Sequence, residues 1–545
     1  MTALHRAVLA LFFVFSLPLA AAQGLAERLD ALAAKHFKEN EPGAAVLVSK
    51  GGTPLLRKGY GLADVELGTK MPADGVFRIG SITKQFTATA VLQLVESGRI
   101  ALQDPVTKYL PDAPVHGKTV TVEHLLTHTS GIPSYTEKAG FGKRGAEDLT
   151  PQQIIDVIKE DPLAFDPGTK WSYNNSGYIL LGMLIEKVSG MPYAEYLEKN
   201  VFPRAGLTST RYDDTRAIVP RRVPGYHRVN GKVANAQFLN MSIPYAAGAL
   251  LSTVDDLARW NAAVAAGKVV DRRLLDKAWT SYRLVNGEES GYGYGWRPAT
   301  IAGERVIHHG GTIHGYTSHA MWLPERDLYV AILTNDQSLD PDYAATLLAL
   351  EAAGNSWLGR EVKAAGLDAY TGVYRVDEKT RRRIFVEEGK LWSQRDGGQR
   401  SEIFPVGNDE FRFRESFSSI RFERDAAGNV TAMTLDSSGT KSRAEKTDEK
   451  LVMRTAVAID PARLARYTGK YEITPTATLT ITQKEGGLWA TTGRREYQIF
   501  AASESTWFAK AIDLELVFAF DEGGKAKSVT LDQGGQSREM KRLAD

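Results

Sequence analysis

The 545-residue sequence contains no cysteine. That absence excludes disulfides, thiolate nucleophiles, cysteine-ligated zinc and a lipid-modified cysteine at a cleavage site. Neither sign of charge is in excess, with 67 Lys and Arg against 65 Asp and Glu, and no basic run carries interleaved aromatics. Nothing here points to nucleic acid, and none is expected as a partner. Long apolar runs are also scarce. The strongest, Ala7 to Phe15, follows Met-Thr-Ala-Leu-His-Arg and precedes Ala20-Ala21-Ala22, the form of a secretory signal peptide cleaved near Ala22 and Gln23. It is too short and too weakly flanked to read as a membrane span. Residues 1–22 are read as the signal peptide of an exported protein, bound for a bacterial periplasm, with no stable membrane insertion after cleavage. An uncleaved anchor is the alternative.

A hydrophobic share of 43% with 24% charged residues describes an ordinary globular chain, and its length calls for two or three domains. Ala44 to Ser49, Gly51-Gly52 and Leu55 to Tyr60 predict a β-hairpin. In Gly80-Ser81-Ile82-Thr83-Lys84-Gln85, Ser81 and Lys84 stand three apart at the head of a helix marked by Phe86, Ala90 and Leu94, and so share a face. A serine hydroxyl becomes nucleophilic when a neighbour takes its proton, and a lysine can do so only if its ammonium is destabilised. A second Ser-x-x-Lys match, Ser438 to Lys441, lies in a turn where the side chains need not share a face.

Short helices are expected within Val120 to Ile132 and over Gln152 to Ile158. The loop Trp171-Ser-Tyr173-Asn-Asn175-Ser176 opens a helix from Tyr178 to Val188 that Gly190 closes. Tyr173 offers a phenol for proton relay and Asn175 an amide for substrate, while the plain alternative is a helix cap at Asn175 or Ser176. Gly291-Tyr-Gly-Tyr-Gly-Trp296 alternates like a strand, with packing the favoured role for its aromatics. Val306 to Tyr316 holds three of the ten histidines, and His319 follows. Zinc is the competing reading of this run. The run supplies no carboxylate at fitting spacing, and His308 and His309 point to opposite faces of a strand, so no metal is expected.

The last third is duplicated. Leu367-Asp-Ala-Tyr370-Thr-Gly372-Val-Tyr374 recurs as Leu464-Ala-Arg-Tyr467-Thr-Gly469-Lys-Tyr471, and Gly389-Lys-Leu391-Trp392 as Gly486-Gly-Leu488-Trp489, at one constant offset. Each copy reads as short alternating strands, which points to closed barrels or sandwiches. Neither copy carries a convincing catalytic grouping.

Ser81-x-x-Lys84, Tyr173-x-Asn175 and His309-Gly310-Gly311, in this order, resemble the three motifs of the penicillin-recognising serine hydrolases: class C β-lactamases, D,D-peptidases, related esterases and D-aminopeptidases. The resemblance spans Gly43 to Asn335. It implies an α/β architecture: a β-lactamase-like domain over 23–358, built as an antiparallel sheet flanked by helices with a helical subdomain. Two all-β barrel-like repeats, lipocalin-like, follow over 363–450 and 460–545. It also implies roles. Ser81 would be the acylated nucleophile, Lys84 and Tyr173 the proton-transfer pair in either order, and Asn175, His309, Gly311 and Thr312 the substrate-binding residues, with Ser81 and Thr312 N–H groups forming the oxyanion hole. His308 competes with His309 for the third motif, and His309 fits the spacing of the residues after it. Many members have lysine there; a histidine is mostly neutral near pH 7, which favours a peptidase, amidase or esterase over a dedicated β-lactamase. The expected partner is a small-molecule or short-peptide substrate, with no metal or organic cofactor. The alternative is a non-catalytic periplasmic protein that binds peptides or cell-wall fragments on the same fold. Oligomeric state is left open.

Overall fold

The computed structural model describes residues 23–229, 231–363, 366–437, 439–474, 477–493 and 495–543. Residues 1–22, expected to be a signal peptide, and Ser438 of the second Ser-x-x-Lys match lie outside the described residues. The chain forms two compact units that meet in sequence between Ser356 and Trp357. No helix among the described residues is long and apolar enough to cross a membrane.

The first unit is organised by a six-stranded antiparallel sheet of β1 (Ala44–Lys50), β2 (Thr53–Tyr60), β3 (Arg297–Ile301), β4 (Glu304–Ile313), β5 (Tyr316–Leu323) and β6 (Leu328–Thr334), in the order β3-β4-β5-β6-β1-β2. Both ends of the chain segment thus meet at the centre, where β1 pairs with β6 from Ala44 opposite Thr334 to Lys50 opposite Leu328. Alternation along each strand sends side chains to two separate cores. Val46, Val48, Val330 and Ile332 pack with Leu29, Ala33 and Leu348, under a helix over 23–34 and helix Pro341–Ala352. Leu47, Ala331 and Leu333 face the larger core shared with the helical subdomain.

Four helices position the site: α1 (Thr83–Glu96), α2 (Asn175–Ser189), α3 (Val254–Ala265) and α4 (Pro341–Ala352). The four-residue repeat of α1 suggests one buried face, yet every residue from Thr83 to Leu94 is buried. Helix α1 is enclosed on all sides, with Phe86 stacked on Trp260 of α3 at 4.1 Å. Its polar positions tolerate this because their hydroxyls are bonded: Thr87 Oγ1 donates to Ala246 O at 2.7 Å, and Thr89 Oγ1 to Gln85 O at 2.8 Å.

One expectation fails. Gly291 to Trp296 is not a strand but a chain of bends, despite its alternation. Gly293 and Gly295 serve close approach by backbone. A Cβ on Gly295, whose φ is +83°, would lie 2.7 Å from Lys84 O. The segment is pressed onto the start of α1 where only glycine fits.

In the second unit each sequence repeat folds into eight antiparallel strands. The first set, Gly372–Arg375 through Thr440–Lys446, closes as a barrel where Tyr374 pairs with Lys446 and Arg375 with Glu445. The second, Gly469–Thr474 through Gln536–Lys541, is an ordered eight-stranded sheet whose ends are joined by the bridge from Tyr471 to Arg542. The duplication extends to single bonds. Tyr374 Oη donates to Tyr370 O at 2.7 Å, and Tyr471 Oη to Tyr467 O at 2.7 Å. Tyr374, Ile384 and Leu391 fill the first core as Tyr471, Ile481 and Leu488 fill the second.

Candidate active site

Ser81 sits in a single 3-10 turn, Gly80–Ile82, that runs directly into α1. Lys84, in the first helical turn, is fully buried, and its Nζ lies 3.1 Å from Ser81 Oγ. Nζ also donates to Asn175 Oδ1 at 2.9 Å and Ala247 O at 2.8 Å. Burial pushes the Lys84 ammonium well below the ordinary lysine range, and the nearby charge of Arg297 adds to the shift. A neutral amine has two N–H bonds and one lone pair. In that form the two pure acceptors, Asn175 Oδ1 and Ala247 O, would take the N–H bonds and leave the lone pair for the Ser81 hydroxyl proton.

The Trp171 to Asn174 loop aims Tyr173 and Asn175 at this pair. Asn174 caps α2 by accepting from Gly177 N at 2.7 Å, one residue before the position the sequence suggests for the cap. Asn175 is thereby free to meet Lys84 with its oxygen while its Nδ2 donates to Thr136 Oγ1 at 3.2 Å. Tyr173 lies within 4.8 Å of Lys84 Nζ, measured to its ring centre. Its hydroxyl is buried and makes no hydrogen bond of good geometry, although Ser81 is close enough to oppose the upward push of burial on the phenol.

His128 braces the loop. Its Nδ1 accepts from Asn174 N at 3.0 Å, its carbonyl accepts from Ser172 N at 3.0 Å, and its ring lies 4.4 Å from Tyr173 and 4.5 Å from Tyr292. It adopts a left-handed φ of 60°.

On β4, alternation turns His309 toward Ser81 and His308 toward α4. His309 Nδ1 donates to Gly310 O at 2.6 Å, which leaves Nε2 to accept from Tyr292 Oη at 2.8 Å. Burial first, and then Lys84, hold this imidazole well below its ordinary pKa, so it is neutral with both nitrogens engaged. Gly311 faces the Gly80–Ile82 turn, where an added Cβ would lie 2.1 Å from Ile79 O and 2.9 Å from Ser81 N. Gly311→Ala is accordingly expected to push β4 off the turn and lower both melting temperature and turnover, a joint loss checked by thermal unfolding alongside steady-state rates. Ser318 Oγ donates to Ile79 O at 2.9 Å and ties the same turn to β5.

Strand β3 ends its pairing with β4 at Arg297 opposite His308, so His309 to Ile313 form a free edge on that side. A cleft of about 710 Å³ runs along this edge, lined by Ser81, Tyr173, Asn175, Arg297, His309 and Thr312. On the other side of Ser81 a smaller pocket of about 260 Å³ is walled by Tyr135, Phe141, Leu239, Ile243 and Pro244. The Arg297 guanidinium rests on three aromatic faces, 5.3 Å from Trp171, 5.4 Å from Tyr292 and 5.7 Å from Tyr173. Sequence reasoning misses Arg297 and His128. One arginine after a glycine-aromatic run and one histidine in a polar loop carry no spacing signal that would have found them.

The structure thus brings Ser81, Lys84, Tyr173, Asn175, His309, Gly311 and Thr312 to one place. Residues 25–354 match the family described as Beta-lactamase. The chain belongs to that family, the penicillin-recognising serine hydrolases. Residues 359–451 and 453–542 each match a domain of unknown function, DUF3471. The chain is 27% identical over 409 residues to penicillin-binding protein 4* of Bacillus subtilis, covering 69% of this chain and 89% of that one. Among solved structures it resembles the octameric penicillin-binding protein homologue of Pyrococcus abyssi, with 26% identity, a TM-score of 0.54 and coverage of 78% of this chain and 99% of that one. It also resembles a D-stereospecific amidohydrolase from a Streptomyces species, with 29% identity, a TM-score of 0.50 and coverage of 60% and 98%.

Proposed function

We propose that the protein is an exported serine hydrolase that forms an acyl-enzyme on Ser81 and cleaves amide or ester bonds of small peptides or D-amino-acid derivatives. The observation that carries this reading is the buried Lys84, whose Nζ lies 3.1 Å from Ser81 Oγ and is held by Asn175 Oδ1 at 2.9 Å and Ala247 O at 2.8 Å. In acylation the Ser81 oxygen bonds to the substrate carbonyl carbon while its proton passes to Lys84 or Tyr173. The carbonyl oxygen gains charge between the N–H groups of Ser81 and Thr312. Collapse breaks the bond to the amine or alcohol, which leaves with a proton from the same pair. Water then adds to the ester and releases the acid and Ser81. The apolar segment Ala7 to Phe15 supports export.

The two cavities support a division of the substrate. The smaller, apolar one suits the acyl side chain, and the larger one suits a polar leaving group that pairs along the free edge of β4. The neutral His309 leaves Arg297 as the permanent cation of this cleft, suited to an anionic leaving group. Arg297→Ala should raise KM for substrates with a free carboxylate by about 10- to 100-fold, the scale of a lost charged hydrogen bond, and leave neutral amides nearly unaffected. Equal effects on both classes would remove Arg297 from carboxylate binding. Substrate class is tested by brief exposure to a β-lactam, an activated ester and a D-alanyl amide in parallel, read as intact-protein mass. An adduct or turnover with any donor supports the hydrolase, and neither with all three favours a binding protein.

A further inference from the structure

The histidine run lacks a carboxylate in sequence, but the fold supplies one. His308 on β4 and His319 on β5 project from the face of the sheet opposite His309, their rings stacked at 5.2 Å, and the first turn of α4 brings Asp342 against them. One ligand atom from each of the three lies within 4.8 Å of the others. His319 Nε2 is 3.2 Å from Asp342 Oδ1. Neither His308 Nδ1 nor His319 Nε2 has a hydrogen-bond partner of good geometry, although both atoms are buried. Buried polar atoms are almost always satisfied, so two orphaned imidazole nitrogens side by side, next to a carboxylate, need an explanation.

We propose that His308, His319 and Asp342 form a binding site for a divalent transition metal of the zinc class. Two imidazoles and one carboxylate suit zinc or cobalt, whereas calcium and magnesium prefer all-oxygen sites. Tetrahedral zinc at the usual bond lengths needs donors about 3.4 Å apart, a modest contraction of the present triangle. Asp340 lines the same cleft and offsets the positive charge of Arg297. The three ligands also line the cleft that reaches Ser81, so the open coordination position faces the space a substrate would enter. The site is distinct from the acyl-transfer residues, since alternation on β4 places it across the sheet.

The test is calorimetric titration of the full chain, freed of metal by chelation and dialysis, with zinc chloride, and separately the visible absorption of added cobalt(II). One ion per chain is expected, with affinity lowered about 10- to 100-fold or more by His319→Gln and by Asp342→Asn, and unchanged by Ser81→Ala. The Asp342 side chain is largely exposed, so Asp342→Asn keeps the fold and decides the matter if His319→Gln does not fold. No binding at one equivalent, or binding that Asp342→Asn leaves undiminished, overturns the proposal.

Discussion

Ser81→Ala is expected to lower turnover by about 10⁵- to 10⁶-fold, the scale on which removal of a catalytic nucleophile acts. The loss should fall on kcat. Asn175, Arg297 and the apolar pocket are untouched, so substrate still binds, but no covalent bond can form. Wild-type protein quenched early in turnover should gain the mass of the acyl group, and the variant should gain nothing. The fold should survive, because the turn is held by main-chain contacts and by Ser318 Oγ on Ile79 O rather than by the serine hydroxyl. A variant that retains near-normal rates would sink the acyl-enzyme. The same experiment bears on the roles of the neighbours, since groups acting as one unit give strongly non-additive losses. Adding Lys84→Arg to Ser81→Ala should cost almost nothing more.

Much of this site can be read from the order of the amino acids alone. The spacing of Ser81 and Lys84 survives because one helical turn fixes it, and the β1–β2 hairpin arises from its Gly51-Gly52 turn. The barrel-forming repeats are legible because duplication doubles a weak strand signal. What escapes has physical reasons. The alternation of Gly291 to Trp296 mimics a strand, yet Gly295 is there for close approach to the start of α1 and Gly293 for close approach to Ala278, which no periodicity reports. The cap of α2 falls on Asn174 instead of Asn175 because two adjacent asparagines are equally good caps, and only the pull of Lys84 on Asn175 separates them. Asp342 reaches the cleft through docking of α4 on the sheet, and Arg297, though paired with His308 across a short hairpin, is held there by Trp171 and Tyr173 from a distant loop, contacts that no local pattern encodes. Residue chemistry is readable locally, while the charge balance of the site is set by tertiary neighbours.

That charge balance leads to the second large effect. Lys84→Arg is expected to lower kcat by about 10²- to 10⁴-fold, the range for loss of a positioned general base, because guanidinium cannot shed its proton near neutrality. The wild-type rate should rise with pH through the depressed Lys84 value and then level, since the amine must be neutral to take the Ser81 proton. His128 and His309 are also lowered by burial, so an acid limb that persists in the variant belongs to them. The Tyr173 phenol, raised by burial, titrates only in strong base. The same shift has a sign for stability. In the native protein Lys84 loses its proton well below the unfolded value of about 10.4, so between the two values the unfolded chain binds more protons. Stability contributed by this residue therefore rises with pH across that window, and its burial costs most at the acid end. Lys84→Met removes the titration. Urea midpoints measured across that range should climb less steeply in Lys84→Met than in wild type, and parallel curves would mean that Lys84 is charged in the native site and that Tyr173 must take the first proton.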